Sequence, residues 1–339
     1  MSRFGQRFAH VVMFIVAGVC ATARADLLVV GHFSGNVIRY DSSGALVGTF
    51  WSSSGPSPLG IVLGPDGAVY TSNTYLDHIS RFDSAAQDFV PFTTGGTIRN
   101  VHQIAFGGPY NDLYATDLGG FGPPTAVNRF AGGTGAFIEA VSLPTGAGAS
   151  AGIAVDAAGA LYISDRPSGS IYKYANGSLD LLAVPGPEIE GLTLGPDGKL
   201  YVGTRDTRVL RYSLDGTAYG VNGSLSDPTF IADSRLNLAL SVAFDSNDMI
   251  YVVSSASNEV LRYTTDGAFV DVFVPAGLGG LVYPSYMVFV PVPEPASQTL
   301  LGLGLLGLLW RRARCRAGSI SRAARAQLKV WPAASPPVC

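Results

Sequence analysis

The chain has 339 residues, a formal net charge of −3, and a composition rich in glycine (42) and proline (21). The charge is uneven: residues Asp26–Val290 contain 12 Lys and Arg against 24 Asp and Glu, and ten basic residues lie in the two terminal segments. Such an acidic body excludes a nucleic-acid-binding protein, which needs a basic surface against phosphate. The body contains no cysteine, so it must be held together by packing alone.

The first 25 residues have the pattern of a secretory signal peptide. Arg3 and Arg7 precede the apolar run Val11–Cys20. Ala23 and Ala25 then supply the small residues of a cleavage site. Cleavage after Ala25 leaves Asp26 as the new N-terminus.

The body repeats one pattern of strands and turns. In the copy Ala151–Tyr174, three short runs rich in β-branched and aromatic residues alternate with turn residues. Each copy has a landmark on its second strand and a basic–aromatic pair at the end of its third. The second-strand landmarks are Leu28, Tyr70, Tyr114, Tyr162, Tyr201 and Tyr251, and the pairs are Arg39-Tyr40, Arg81-Phe82, Arg129-Phe130, Lys173-Tyr174, Arg211-Tyr212 and Arg262-Tyr263. Steps of 39–50 residues between landmarks predict a β-propeller rather than a helical solenoid.

The two ends of the body complement each other. The first repeat lacks an innermost strand, and Tyr286–Val290 matches an innermost strand with no repeat after it. We therefore predict an all-β fold: a six-bladed propeller over 26–290, closed by strands from both termini. The other innermost strands are expected to begin near Leu59, His102, Ala151, Glu190 and Leu240. Because side chains alternate along a strand, the aromatic member of each pair should point inward between blades and the basic member outward.

Several short motifs are better explained by turns or by chance. Gly64–Gly67 and Gly195–Gly198 have the Gly-Pro-Asp-Gly sequence of a tight turn. A calcium site is the alternative for such Asp-rich turns, but no segment has the ligand pattern of an EF-hand loop. The G-x-S-x-G match at Gly148–Gly152 leads into a predicted strand rather than a helix, so it does not indicate a nucleophile elbow.

Two segments resemble known propeller families. Ala151–Asp165 is similar to an NHL repeat, and Glu190–Thr204 is similar to repeats of gluconolactonase-like and streptogramin-lyase-like propellers. The resemblance implies either a binding platform or an enzyme with a metal in the central channel, held near the starts of the innermost strands. At those positions only His102 and Glu190 are candidate ligands or channel-lining groups. Two ligands do not complete the usual lactonase site, whereas a lyase site of His and Glu stays open as an alternative.

The C-terminal segment resembles a PEP-CTERM sorting signal. The motif Val292-Pro293-Glu294-Pro295 lies in a linker at 291–298, and a predicted transmembrane helix with an arginine cluster follows at 299–314. The cluster contains Arg311, Arg312 and Arg314. The resemblance implies export by a Gram-negative bacterium that makes exopolysaccharide, and processing by an exosortase. The prolines favour an extended linker that a protease can bind, and the arginines favour a cytoplasmic C-terminal end.

Two features of this tail bear on its processing. A helix over Ala296–Trp310 spans about 22 Å, less than the ~30 Å hydrocarbon core, which suits a temporary inner-membrane anchor. A basic and proline-rich extension, 315–339, follows the arginines, where such tails usually end, and we expect it to be disordered. If the extension impairs processing, the protein stays a single-pass membrane protein.

The sequence thus leads to two functional hypotheses. The first is a non-catalytic binding or scaffolding module at the cell surface or in the extracellular matrix, with an exosortase and with exopolysaccharide or surface proteins as partners. It has no catalytic residues and no cofactor. The alternative is a lactonase or lyase that uses a divalent metal held by His102 and Glu190. The sequences of the loops that would bind a ligand contain no pattern that identifies it.

Overall fold

The body of the chain folds into a ring of four-stranded antiparallel sheets, the blades of a propeller. The structure is a computed structural model that describes residues 24–292 except 54–57, 74–75, 77, 97, 99, 118–125, 145–149 and 187. Within these residues there are six sheets, which confirms the predicted fold class. In chain order the strands are β1 Ala25–Gly31, β2 Asn36–Tyr40, β3 Leu46–Ser52, β4 Pro58–Leu63, β5 Val69–Asn73, β6 Ser80–Asp83, β7 Asp88–Pro91, β8 Val101–Gly107, β9 Asp112–Asp117, β10 Ala126–Phe130, β11 Phe137–Ser142, β12 Ser150–Val155, β13 Leu161–Asp165, β14 Ser170–Ala175, β15 Ser178–Ala183, β16 Ile189–Leu194, β17 Leu200–Thr204, β18 Arg208–Tyr212, β19 Thr229–Ala232, β20 Ala239–Phe244, β21 Ile250–Ser254, β22 Glu259–Tyr263, β23 Phe269–Val274 and β24 Pro284–Pro291.

Blade 1 joins the two ends of the body. Its strand order is β24-β1-β2-β3, and blades 2 to 6 follow as β4–β7, β8–β11, β12–β15, β16–β19 and β20–β23. In blade 1, Asp26 pairs with Val290 and Leu28 with Val288 in antiparallel register. Closure by strands from both termini is therefore confirmed, and this blade leaves no unpaired edge at the joint.

Hydroxyl groups link each innermost strand to the next one around the ring. In blades 2, 3 and 4 the hydroxyl belongs to the residue two positions after the landmark tyrosine, which is Ser72, Thr116 or Ser164. The Oγ of Ser72 donates to His102 O at 3.1 Å, and that of Ser164 donates to Glu190 O at 2.7 Å. The remaining contacts are Thr116 to Ala151 O (3.3 Å), Thr193 to Val242 O (2.8 Å), Ser241 to Ser285 O (2.8 Å) and Ser285 to Leu59 O (2.7 Å). Each of the six blade junctions thus has a hydroxyl–carbonyl hydrogen bond, which offsets the desolvation of carbonyls at the ring.

The landmark tyrosines pack between blades. Tyr70 of blade 2 meets Phe106 of blade 3 edge-on, with ring centroids 4.9 Å apart, and Tyr201 of blade 5 meets Phe244 of blade 6 in the same way. Each landmark tyrosine is nearly fully buried. Burial of a large side chain contributes about 1.5–3 kcal/mol. The repeat of tyrosines is therefore a repeat of blade-to-blade contacts.

The prediction for the basic residues was wrong in part. Arg81 lies directly opposite Tyr70 in the register of β5 and β6, so the two side chains share one face of the sheet. The guanidinium lies over the ring, 6.0 Å from its centroid, rather than projecting into solvent. Arg211 is buried, and its guanidinium carbon lies 3.7 Å from the ring centroid of Phe230. In blades 2 to 5 the basic residue therefore makes a cation–π contact with the landmark tyrosine of its own blade.

The aspartates of the Gly-Pro-Asp-Gly turns cap their own backbone. Asp66 Oδ1 accepts from the Ala68 N–H at 3.1 Å, and Asp197 Oδ1 accepts from the Lys199 N–H at 3.1 Å. The second carboxylate oxygen of each accepts from the hydroxyl of its blade's landmark tyrosine. These carboxylates are engaged within the turn, as the turn interpretation expects.

The contacts divide the chain into a unit Ala25–Pro291 and a second unit of Met1–Arg24 with Val292–Cys339. In the second unit only Arg24 and Val292 are described, and Val292 N donates to Arg24 O at 2.8 Å. The predicted signal peptide other than Arg24 and Ala25, the Pro-Glu-Pro residues, the transmembrane segment and the extension lie outside the described residues. Within the described part, no helix has the length and hydropathy needed to cross a bilayer.

Candidate functional site at the channel mouth

The innermost strands of the six blades surround a central channel. Its wall encloses a cavity of about 410 Å³. Small apolar side chains form much of this wall: Val62, Ala105, Ala154, Ala243 and Val288, with Thr193 completing the ring. We call the end at which the innermost strands begin the upper mouth. It is defined by His102, Glu190 and Tyr286.

Three side chains from alternate strands meet at the upper mouth. His102 lies on β8, Glu190 on β16 and Tyr286 on β24, which are alternate strands of the ring. His102 Nδ1 lies 3.0 Å from the Tyr286 hydroxyl and 3.1 Å from Ala151 O, and its Nε2 lies 3.7 Å from Glu190 Oε2. All three side chains are buried. Together they link three alternate strands at this end of the channel.

Two arginines neutralise the buried carboxylate from the rim. Glu190 Oε1 accepts from Arg166 Nη1 at 3.2 Å and from Arg205 Nη1 at 2.8 Å. Arg205 is held in turn by Glu188, whose Oε2 lies 2.9 Å from Arg205 Nε. Glu190 Oε2 has no hydrogen-bond partner among the described residues and faces the imidazole of His102. One oxygen of the carboxylate thus binds the two arginines, and the other faces the imidazole of His102.

The protonation states follow from burial and these charges. Burial raises the pKa of Glu190, but the Arg166 and Arg205 guanidinium groups, joined by His102 when that imidazole is protonated, outweigh burial, so the pKa lies below its ordinary value. Burial lowers the pKa of His102 against the opposing effect of Glu190. Burial also raises the pKa of Tyr286 well above its ordinary value. At neutral pH the mouth therefore contains an ionised Glu190, held by two guanidinium groups, facing a neutral imidazole and a neutral phenol.

Gln103 follows His102 on β8 and lines the channel next to this cluster. Its Oε1 accepts from the backbone N–H groups of Ile153 (3.0 Å) and Leu192 (3.1 Å), and its Nε2 donates to Leu192 O at 2.8 Å. One side chain thus ties β8 to β12 and β16 through three hydrogen bonds. The polar groups at this level are engaged within the protein, which gives the upper mouth a supporting layer.

The residues at the mouth do not fit a divalent metal. His102 and Glu190 supply two candidate ligands, and the described residues contain no cluster of three or more His, Cys, Asp or Glu side chains able to hold a metal. Arg166 and Arg205 place positive charge on the same carboxylate. Like charges near a cation site oppose binding, so no chemical step is assigned to a metal here.

The sequence identified two members of the cluster and missed the others. His102 and Glu190 were expected near the channel, and the structure places them side by side at its mouth. Arg166 and Arg205 come from turns that follow second strands, so the positions of innermost strands could not reveal them. A signal did exist: each of these arginines lies four residues after its landmark tyrosine, and His32 lies four residues after Leu28.

The serine of the G-x-S-x-G match has a structural role. Ser150 is the first residue of β12, is buried, and donates through Oγ to Asp117 O at 2.9 Å. It does not lie on a strand-to-helix turn, which a nucleophile elbow requires. The match therefore arises by chance, as the sequence indicated.

Comparisons with known proteins identify the C-terminal signal and the fold. Residues 291–313 match the PEP-CTERM protein-sorting motif. This signal indicates export, processing by an exosortase-type enzyme, and a C-terminal membrane anchor that is cleaved. The signal begins at the last residue of β24, so the propeller ends where the sorting motif starts. A search of curated proteins found no match.

Solved structures with similar folds have low sequence identity. A protein of unknown function from Bacteroides caccae has a TM-score of 0.59 and 12% identity, over 79% of this chain and 99% of that chain. The Nidogen/Laminin complex gives a TM-score of 0.60 and 14% identity, over 78% and 98%. A catalytically inactive virginiamycin B lyase from Staphylococcus aureus with quinupristin gives 0.51 and 15%, over 72% and 73%. At these identities the similarity shows the propeller fold alone.

Proposed function

We propose that the propeller is a non-catalytic binding module that its sorting signal delivers to the cell surface or the extracellular matrix, where it binds exopolysaccharide or surface proteins. The observation that carries the proposal is the match of residues 291–313 to the sorting motif. The body ahead of the motif is one propeller with strand-to-strand closure, so it can be released as an intact domain.

The upper mouth supports a binding role over a catalytic one. A general base or nucleophile must reach substrate, whereas His102, Glu190 and Tyr286 are buried and contact one another. The charge of Glu190 is already neutralised by Arg166 and Arg205. The cluster thus links three alternate innermost strands and leaves the rim loops to recognise ligands.

A metal-dependent lactonase or lyase is the alternative. Against the incomplete ligand set and the two arginines described above, one observation favours it: Glu190 Oε2 faces His102 Nε2 at 3.7 Å and has no hydrogen-bond partner among the described residues. This alternative predicts a bound divalent metal that is lost in His102→Ala. Metal analysis of the purified protein and the variant tests it, and an equal metal content in both removes it.

Intact-mass measurement and cell fractionation test the leading proposal. In cells with an active exosortase, we expect the protein to begin at Asp26 and to end near the Pro-Glu-Pro motif, in the surface or matrix fraction. Without the enzyme, it should keep its C-terminal segment and stay with the membrane. A product that runs to Cys339 in both strains, or a processed protein that does not associate with envelope or matrix, contradicts the proposal.

A further inference from the structure

An exposed phenylalanine ring stacks on a partly buried tyrosine ring at the rim of the upper mouth. Phe33 lies in the turn between β1 and β2 and is 66% exposed. Its ring stacks on that of Tyr283, with centroids 4.5 Å apart and an interplanar angle of 17°. Single exposed apolar side chains are common and need no explanation. Phe33 stacked on Tyr283 instead presents one flat, supported aromatic face, and we call this pair the platform.

The platform is held in place by its backbone. Tyr283 has φ of 50°, a left-handed conformation that is rare for a bulky residue. Its N–H donates to Asn258 Oδ1 at 2.6 Å, and its carbonyl accepts from the His32 N–H at 3.2 Å. His32 is anchored in turn, with Nδ1 3.2 Å from Pro58 O. Strain of this kind persists where the surroundings enforce it, and it is concentrated at binding sites.

Polar groups at the same mouth both donate and accept hydrogen bonds. Arg205 is 32% exposed and Glu188 is 62% exposed, and they form an ion pair at 2.9 Å. Arg205 directly follows β17, at the same end of the propeller as the turn between β1 and β2 that carries Phe33. The rim therefore offers an aromatic face together with a donor and an acceptor.

We infer that the Phe33–Tyr283 platform binds a pyranose ring of an uncharged polysaccharide. A pyranose has an apolar C–H face, which suits an aromatic ring, and hydroxyl groups at its edge that both donate and accept, which suit Arg205 and Glu188. This inference rests on the proposed function and names the ligand class of that binding module.

Charge and size favour this ligand over the other candidates. The body carries twice as many acidic as basic residues, so it repels a polyanionic chain. The positive charge of the two guanidinium groups at the mouth is already offset by Glu188 and Glu190, so a polyanion finds no uncompensated cation there. A protein partner usually covers about 800 Å² on each side, far more than two rings. A single sugar ring matches the platform in size.

Affinity electrophoresis of the full chain in neutral detergent tests the inference. The native gels contain dextran, galactomannan or mixed-linkage β-glucan as uncharged probes, and alginate as the polyanion. We expect retardation by at least one uncharged polysaccharide and none by alginate. Phe33→Ala and Tyr283→Ala should weaken binding about tenfold or more. Tyr283→Phe keeps the stack and should bind like the parent protein.

Tyr110→Ala is the matched control. Tyr110 is 76% exposed and lies in the turn between β8 and β9, at the opposite end of the innermost strands. Its loss should leave retardation unchanged, and circular dichroism of each variant checks the fold. No retardation by any uncharged probe, stronger retardation by alginate, or an unchanged Phe33→Ala variant overturns the inference.

Fractionation of cells separates this inference from the proposed function. If the parent protein and Phe33→Ala both associate with the envelope, the inference fails and the proposed function stands. If neither associates, the proposed function fails. Association that is lost in Phe33→Ala yet survives removal of polysaccharide from the parent cells indicates a protein partner and overturns the inference.

Discussion

His102 and Glu190 meet across the axis of the propeller, with Nε2 and Oε2 3.7 Å apart, although 88 residues separate them in the chain. They belong to blades 3 and 5, so their contact ties together strands that are not neighbours in the ring. Tyr286 of blade 1 completes the crossing through its hydroxyl. The channel mouth is therefore a structural joint of three alternate blades, and its side chains determine how stability depends on charge.

Removing the charge of Glu190 should destabilise the fold. Glu190→Gln leaves Arg166 and Arg205 without their shared counter-ion at a fully buried position. Breaking a buried ion pair from one side costs about 3 kcal/mol of unfolding free energy. Urea unfolding of the full chain, followed by tryptophan fluorescence, measures this loss.

The control for this change is Glu188→Gln. Glu188 pairs with the same Arg205 but is 62% exposed, so its loss should cost less than about 1 kcal/mol. Equal losses for the two variants would contradict the role assigned to the buried carboxylate.

Acid should weaken the propeller through His102 before it affects the carboxylates. Burial lowers the pKa of His102 in the folded state, so the unfolded chain binds the proton more readily. Stability is then complete above the unfolded pKa of about 6.5 and falls as pH decreases toward the lower folded pKa, by at most about 1.4 kcal/mol per pH unit from this group. Unfolding curves between pH 7 and pH 5 measure the slope.

His102→Gln should flatten this slope, because glutamine does not titrate. His32→Gln, at the same mouth but half-exposed, should keep it, because His102 is still present. A slope that survives in His102→Gln would assign the acid sensitivity to another group.

Removing a hydroxyl that joins two blades should lower the free energy of unfolding, because it leaves buried backbone groups without a hydrogen-bond partner. Ser72 Oγ accepts from the Gly60 N–H at 2.8 Å and donates to His102 O at 3.1 Å. Ser72→Ala leaves both backbone groups buried without this partner, which costs about 1–3 kcal/mol. Ser43→Ala, which removes an exposed hydroxyl bonded to Asp41, should be close to neutral in the same thermal unfolding assay. A neutral Ser72→Ala would contradict the importance of the junction bonds.

The repeat predicted the fold because its landmarks are the packing contacts themselves. Tyr70 and Arg81 recur at fixed positions because they face each other in the sheet register, and the tyrosine packs against the next blade. The innermost strand that the first repeat lacks could be located at the C-terminal end of the body, because the unpaired edge of the first repeat requires one complementary strand. These features depend on local alternation, which a sequence displays directly.

The candidate site was less predictable because it is assembled from loops. Arg166 and Arg205 reach Glu190 from turns of two different blades, and Tyr283 reaches Phe33 from the opposite end of the chain. Whether a side chain in a turn reaches the channel axis depends on how the blades are arranged around the ring, which the sequence of the turn does not show. The sequence could rank His102 and Glu190 by strand position but could not show that arginines neutralise the carboxylate.

A close approach between blades should make one glycine irreplaceable. A Cβ on Gly152 would lie 2.3 Å from the backbone oxygen of Glu190, so alanine there must push β12 away from β16. We expect Gly152→Ala to cost about 3 kcal/mol, through overpacking at a rigid junction. Gly133→Ala is the control, because a Cβ there meets no atom within 4 Å and φ is not positive. Comparable melting temperatures for both variants would contradict this account.

Processing should depend on the charge within the Pro-Glu-Pro motif. Residues 291–313 match the sorting signal, and Glu294 is the acidic residue between its two prolines. The prolines favour an extended segment that a protease can bind, and the carboxylate is the one charged group there for it to recognise. Glu294→Ala should therefore leave an intact mass that runs to Cys339 and a protein that stays with the membrane. Ser297→Ala, outside the motif, should be processed like the parent protein. Normal cleavage of Glu294→Ala would show that the exosortase recognises other features of the tail.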